Sequence, residues 1–274
     1  MALDARKILG DFSIAVVAQG LSAICSIIST LLIPKVLGME EFGYWQLFIF
    51  YIGYVGIFHF GLSDGVYLIN GGKARSRIDK KDINTQFWLM CFVQVVLAAG
   101  LGAVALIGPF NVEREFVLVM TAVMIVVNNA GLYWGYVCQA MNETKSFSVS
   151  VLIDSLSFLL PLCLLLFVGE GAFQPYIVFY TIAKCIRLAY CLVKCRDFLA
   201  IGIRSIHEGL ALCRGSVLVG VKLLIANTTG ALILGVIRFL IDANWGIEEF
   251  SSVSFSLSLV SFFILFVSQA SMVM

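Results

Sequence analysis

An all-α integral membrane protein is the fold class this chain predicts, on three observations. Hydrophobic residues fill 61% of its 274 positions and charged ones 13%, with a mean hydropathy of +1.00, where ordinary soluble domains are about one-quarter charged. The apolar residues form continuous runs of about 20, the length a helix needs to cross a hydrocarbon layer about 30 Å thick. Barrel strands would alternate at every second position instead. Finally, Lys and Arg gather in alternate breaks between the runs, the pattern that sets topology. A net charge of +1 offers no global field to nucleic acid.

Eight spans follow, at 11–36, 43–68, 86–109, 116–140, 148–168, 175–195, 215–241 and 251–272. The first has a basic start but no small-residue cleavage site before Val36, so it stays attached as a span. The second opens behind Glu40 and Glu41, with Tyr44 and Trp45 expected at the headgroup level that amphipathic aromatics favour. It closes at Asp64, about 20 residues from its start and therefore expected at the opposite interface as a polar stop. Between the sixth and seventh spans, 196–214 (RDFLAIGIRSIHEGLALCR) mixes apolar and basic residues and predicts an interfacial amphipathic helix.

The connections sort by charge. One side collects Arg6, Lys7, Lys73, Arg75, Arg77, Lys80, Lys81, Lys145, Lys194, Arg196, Arg204 and Arg214. The other holds Lys35 and Arg114 among Glu40, Glu41, Glu113, Glu115, Glu170, Asp242, Glu248 and Glu249. The basic side is expected to be cytoplasmic, with the N-terminus. The triplet Glu40-Glu41-Phe42 opens the second span, and Glu248-Glu249-Phe250 opens the eighth. With six spans between the copies, both should share one orientation, as parallel transporter repeats do.

Charges inside spans mark cavities or helix pairs, because each costs about 2.5–3.5 kcal/mol at mid-depth on insertion scales. Lys184 and Arg187, three apart in the sixth span, share a face. They are the first candidates for an anionic substrate, Arg187 as a fork for phosphate oxygens and Lys184 as a point charge. Arg187 also has the alternative of reaching the headgroups. Lys222 and Arg238 of the seventh span lie nearer its two ends, where snorkelling accounts for either. Asp154 is a coupling carboxylate or the partner of a cation on a neighbouring helix. Asn129 and Tyr133, on one face of the fourth span with Tyr136, are amide and aromatic groups suited to sugar hydroxyls and ring faces. Polar stripes at Gln19, Ser22, Ser26 and Ser29 and at Ser254, Ser258, Ser261 and Ser268 serve close packing or a cavity wall.

The eight cysteines contain no CxxC pair and only two histidines are present, so no metal site and no cofactor is expected. Neither GxxxxGK[ST] nor HExxH occurs, which removes P-loop and zincin chemistry of those types.

A first helix ending in KVLG, then EEFG, aromatics, a closing GLSDGV and a basic loop together resemble the Wzx-type flippases of the MATE-like exporter superfamily. The match is clearest over residues 10–80. The resemblance implies two six-helix lobes around a central cavity, with 1–195 as the first lobe, 196–214 as a cytoplasmic linker and 215–274 as the opening helices of an incomplete second. It implies a transporter, not an enzyme, of the bacterial inner membrane. Such a protein turns lipid-linked (polyprenyl-pyrophosphate) oligosaccharide for O-antigen or capsule from the cytoplasmic to the outer leaflet by alternating access. Its partners would be that lipid, the bilayer, and polysaccharide polymerase and chain-length machinery. Asp64 stands in the family's small-Asp-Gly turn, as a coupling or charge-pair candidate beside Asp154. The alternatives are a cation-coupled drug exporter of the same superfamily and, from another class, a membrane polymerase or glycosyltransferase. The last would need a sizeable polar loop, which is lacking here.

Overall fold

The computed structural model describes residues 5–271, with side chains for 13–233 and 235–260. Ten α-helices are present among them: α1 Ala5–Val36, α2 Met39–Val55, α3 Leu62–Asn70, α4 Lys80–Ile107, α5 Val112–Ala140, α6 Thr144–Val168, α7 Gln174–Lys194, α8 Arg196–Leu199, α9 Ile206–Asn244 and α10 Ile247–Ser271. Six of these are long and apolar enough to cross a membrane, and α2 with α3 makes a seventh as one bent span. This is a multi-pass α-helical membrane protein. The eighth expected span falls on α10, and its stretch beyond 260, Ser261 and Ser268 included, lies outside the described side chains.

Local chemistry sets the helix starts. Asp79 accepts the amides of Lys81 and Asp82 at the head of α4, and Asn111 that of Arg114 at the head of α5. Ser205 and Glu208 form a reciprocal capping box on α9, which satisfies amides that have no partner inside the helix. Gly169, at a φ of 75°, ends α6 in the left-handed conformation that glycine adopts without strain.

The second span departs from the uninterrupted helix expected over 43–68. After α2 a single 3₁₀ turn, Gly56–His59, leads to Phe60 and Gly61 at φ of 53° and 81°. The chain then restarts as α3, bent by 58° from α2. A break at this depth frees backbone carbonyls, and in hydrocarbon each must find another donor. The Gln94 amide donates to the Phe58 carbonyl at 2.6 Å. That of Asn129 donates to the Val55 carbonyl at 3.0 Å and to Gln94 Oε1 at 2.9 Å. A three-helix knot of amides therefore replaces the lost helical bonds.

The restarted segment packs backbone to backbone on α9. Gly61 and Gly65 are spaced as G-x-x-x-G, and Ser216 and Gly220 on α9 repeat that spacing. A Cβ on Gly65 would overlap the Ser216 carbonyl, and one on Gly220 would overlap the Gly61 carbonyl. Such small-residue crossings supply the van der Waals contact that drives helix association where no water is displaced. α9 itself corrects the expected linker. Only α8 and the turn at 200–205 separate it from α7, and it continues through Gly215, where a new span was expected, as one 39-residue helix.

At one end of the bundle the basic connections are tied together. Arg75 bridges Glu143 of the α5–α6 turn (2.8 Å) and Asp197 of α8 (2.5 Å), and Lys80 reaches the same aspartate at 2.7 Å. The Phe198 ring lies 5.1 Å from the Arg75 guanidinium and 5.5 Å from the Lys80 ammonium. Arg75 and Lys80 hold the Asp197 carboxyl well below the usual carboxylate range. At the opposite end Arg114 pairs with Asp242 at 2.5 Å, Tyr51 donates to Asp242 at 2.7 Å, and Glu41 accepts the Phe173 amide at 2.8 Å. The connections thus divide between the two ends as the charge pattern predicts. The two Glu-Glu-Phe triplets both occupy first turns, on α2 and α10, and Gly43 lies directly against Ile247. Both helices therefore start at the same end.

Tyr44 and Trp45, in the first turns of α2, are enclosed by neighbouring helices rather than exposed. Tyr44 stacks on Phe173 at 5.2 Å and its hydroxyl accepts the Asn111 amide, while Trp45 packs on Phe158, Tyr176 and Tyr180. Both are core residues because α5, α6 and α7 enclose the first turns of α2.

If the α3–α9 crossing holds the bend, a side chain at Gly65 or Gly220 must separate the helices. Gly65→Val and Gly220→Val are expected to lower the thermal midpoint in detergent by several degrees each, and Gly100→Ala, in open space within α4, by far less.

Candidate functional site

Among the described residues, polar cavities interrupt the apolar interior, and two of them hold the span carboxylates Asp154 and Asp64. The first, of about 250 Å³, is walled by Ser22, Ser26 and Ser29 of α1, Gln46 of α2, Asp154 of α6, Lys184 of α7 and Ser258 of α10. Three serines of the α1 stripe and Ser258 of α10 thus face a cavity here. α1 packs chiefly on α6 and only lightly on α2 and α10, which is why its polar face lines a space.

Lys184 is the eleventh of the 21 residues of α7, hence at mid-depth. Its Nζ lies 2.6 Å from Asp154 Oδ2 and 5.0 Å from the centre of the Tyr180 ring. Arg187 Nη1 approaches the same carboxylate oxygen at 3.6 Å. Of the sequence candidates, the structure brings these three together. Arg187 therefore turns to Asp154 rather than out to the headgroups. Two cations share one carboxylate, so the cluster carries one net positive charge beside the cavity. Gln46 Oε1 is buried on the same wall without a hydrogen-bond partner among the described residues. Lys184, on the cavity wall, can hold an anionic group there, and Gln46 and the serines a hydroxyl, while Arg187 stands behind Asp154 off that wall.

The second cavity, of about 210 Å³, lies at the α2–α3 break and is lined by His59, Asp64, Tyr136, Asn227 and Thr228 among others. Asp64 was expected at an interface, yet it is only 2% exposed, because the bend turns the first turn of α3 inward against α9. His59 Nδ1 accepts the Gly61 amide at 3.0 Å, which leaves the ring proton on Nε2 when the imidazole is neutral. That nitrogen is 3.7 Å from Asp64 Oδ2, beyond hydrogen-bond reach, and Oδ2 has no partner among the described residues. Sequence reasoning passed over His59 as a site residue. Its signal was a histidine inside an apolar run two residues ahead of a glycine, which is legible only once the break is known.

The remaining candidates are spread elsewhere. Asn129 and Tyr133 are fully buried. The Asn129 amide serves the break, and the Tyr133 hydroxyl donates to the Ile83 carbonyl at 2.7 Å. Both donors are thus committed to helix backbones rather than to a cavity. Lys222 is exposed on α9. Arg238 turns inward rather than snorkelling, donating to Ser254 O (3.3 Å) and Ser258 Oγ (3.4 Å) with Phe50 5.9 Å from its guanidinium. Among the described residues no three His, Cys, Asp or Glu side chains cluster as a metal shell would require.

The arrangement defines a polytopic helical membrane protein with a charged mid-depth cavity. Comparison with family models, with curated proteins and with solved structures finds no match.

Removing the shared carboxylate leaves two buried cations without a counter-charge, a loss worth about 3–5 kcal/mol for a broken buried pair. Asp154→Asn is accordingly expected to lower the denaturation midpoint strongly. The double variant Asp154→Leu/Lys184→Met should recover much of the loss, leaving Arg187 as the remaining unpaired charge.

Proposed function

We propose that this protein is a carrier that moves an anionic, sugar-bearing lipid across the membrane, in the manner of the Wzx-type flippases its first two spans resemble. The observation that carries the proposal is the Lys184–Asp154–Arg187 cluster, at mid-depth and beside a polar cavity. A net positive charge there is costly to keep in a helical bundle. It becomes useful when a phosphate must enter the hydrocarbon zone. In the resting state Asp154 occupies the cations. An incoming pyrophosphate offers more oxygens and more charge than one carboxylate, and it competes for both cations while the hydroxyl-bearing wall receives sugar.

The bilayer retains the lipid tail throughout, so the cavity needs to fit only the polar head. In this proposal the basic connections face the cytoplasm of a bacterial cell, where such lipids are made, and a second lobe supplies the opposite wall of the cavity. Cation-coupled drug export is the competing possibility, and the two differ in what accumulates when the protein is lost.

Deletion of the gene is expected to trap lipid-linked oligosaccharide in the inner leaflet, accessible from the cytoplasmic side only. Complementation with Lys184→Gln should lower glycan export at least tenfold at an unchanged level of protein in the membrane. Normal export in the deletion strain, with lost drug resistance, would favour the exporter instead. Wild-type export by Lys184→Gln would remove the cluster from the mechanism.

A further inference from the structure

The basic end of the bundle holds a third polar cavity, of about 730 Å³, where α3, α4 and the start of α9 meet. Its charged lining residues fall into two groups, here called walls. Asp79 at the N-cap of α4, Asp82 of α4 and Glu208 of α9 form one, with Arg204 held between the two aspartates, so this wall carries two net negative charges. Lys73 and Arg77, earlier in the chain, form the other. The Lys73 ammonium donates only to the Asn70 side-chain oxygen, at 3.1 Å, and neither residue has a carboxylate partner among the described residues. That wall carries two net positive charges. A simple anion would meet the first wall as a repulsive surface, and a simple cation the second.

Across the contact of α4 with α9 runs an apolar groove of about 580 Å³, between Trp88, Leu89, Phe92 and Val93 of α4 and Ile206 and Leu210 of α9. It ends at Arg204 on the side of the charged cavity and at the α2–α3 break on the other. Phe92 and Ile206 are 68% and 73% exposed, on a flank that faces hydrocarbon in a membrane. Apolar groove and charged cavity therefore meet at one residue, Arg204, at the level where headgroups begin.

We infer that this corner binds a phospholipid with a zwitterionic headgroup bearing a primary amine, that is, a phosphatidylethanolamine of the leaflet at the basic end. Its phosphate takes Lys73 and Arg77, and its ammonium takes the Asp79, Asp82 and Glu208 wall, whose carboxylates exceed what Arg204 neutralises. One chain follows the groove from Arg204 towards Phe58 and Phe60. Phosphatidylglycerol lacks the amine that the three carboxylates require. A quaternary amine has no N–H to donate to carboxylates. This site is separate from the Lys184 cavity and does not depend on the transport proposal.

Native mass spectrometry of the delipidated full chain, titrated with palmitoyl-oleoyl phosphatidylethanolamine, phosphatidylglycerol or phosphatidylcholine, tests the inference. The ethanolamine lipid is expected to bind tightest. Lys73→Gln/Arg77→Gln, which removes exposed side chains without ion-pair partners, is expected to weaken it about tenfold or more, the scale of a lost charge-assisted contact. Glu208→Gln keeps a capping-box residue on α9 and should narrow the preference over phosphatidylcholine. Leu210→Trp, filling the groove, should weaken all three lipids together. Equal or tighter binding of phosphatidylglycerol or phosphatidylcholine would overturn the assignment. So would wild-type affinity in the Lys73/Arg77 variant, or full competition by chain-free phosphorylethanolamine.

Discussion

A backbone carbonyl in hydrocarbon has no water to turn to, and the described interior of this protein is arranged around a place where that rule is strained. At Phe60 and Gly61 the second span stops being a helix. The freed Phe58 and Val55 carbonyls are taken by side-chain amides of Gln94 and Asn129, which also bind each other. α4 and α5 must therefore lie against the break. The short α3 can then tilt into α9, where Gly61, Gly65, Ser216 and Gly220 permit a contact no larger residues would allow. The same tilt buries Asp64 and His59 beside a cavity instead of leaving them at a membrane surface.

Charge follows a related logic at two depths. At the ends of the bundle, ion pairs join connections distant in sequence. Arg75 links the α3–α4 connection to the α5–α6 turn and to α8, and Arg114 links α5 to α9. These groups are partly exposed, so each contributes modestly to stability, but they fix which loops lie together. At mid-depth Lys184, Arg187 and Asp154 are enclosed, and there desolvation is costly enough that a structural purpose alone is a poor account of two cations for one anion. The α1 serines and Gln46 around them line the adjoining cavity with polar groups.

Much of this was legible in the sequence, for physical reasons. Run length and continuity decide helix against strand, and the clumping of Lys and Arg decides which loops share an end. Asp154, Lys184 and Arg187 stand out because charge in an apolar run is rare. What escaped depends on tertiary context. Nothing local marks Phe60-Gly61 as a break, since glycine is common in membrane helices and the apolar pattern continues on both sides of it. Tyr44 and Trp45 carry the composition of an interfacial belt and are core only because α5, α6 and α7 enclose them. The amides of Asn129 and Tyr133's hydroxyl look free to bind sugar until the backbone carbonyls they serve are located. Residues 196–214 share the apolar and basic mixture of an interfacial helix, but the capping box at Ser205 and Glu208 makes residues 206–214 the start of α9.

The account stands on a bundle whose connections alternate between two faces of a membrane. Single cysteines placed in a background lacking the eight native ones, at Ser76, Glu143 and Asp197 in one group and at Asn111, Gly171 and Gly246 in the other, measure this directly. An impermeant thiol reagent should modify the first group from one side of sealed vesicles and the second from the opposite side only. Labelling of both groups from the same side would contradict the spans, the bend of the second one and the mid-depth position of Lys184 together.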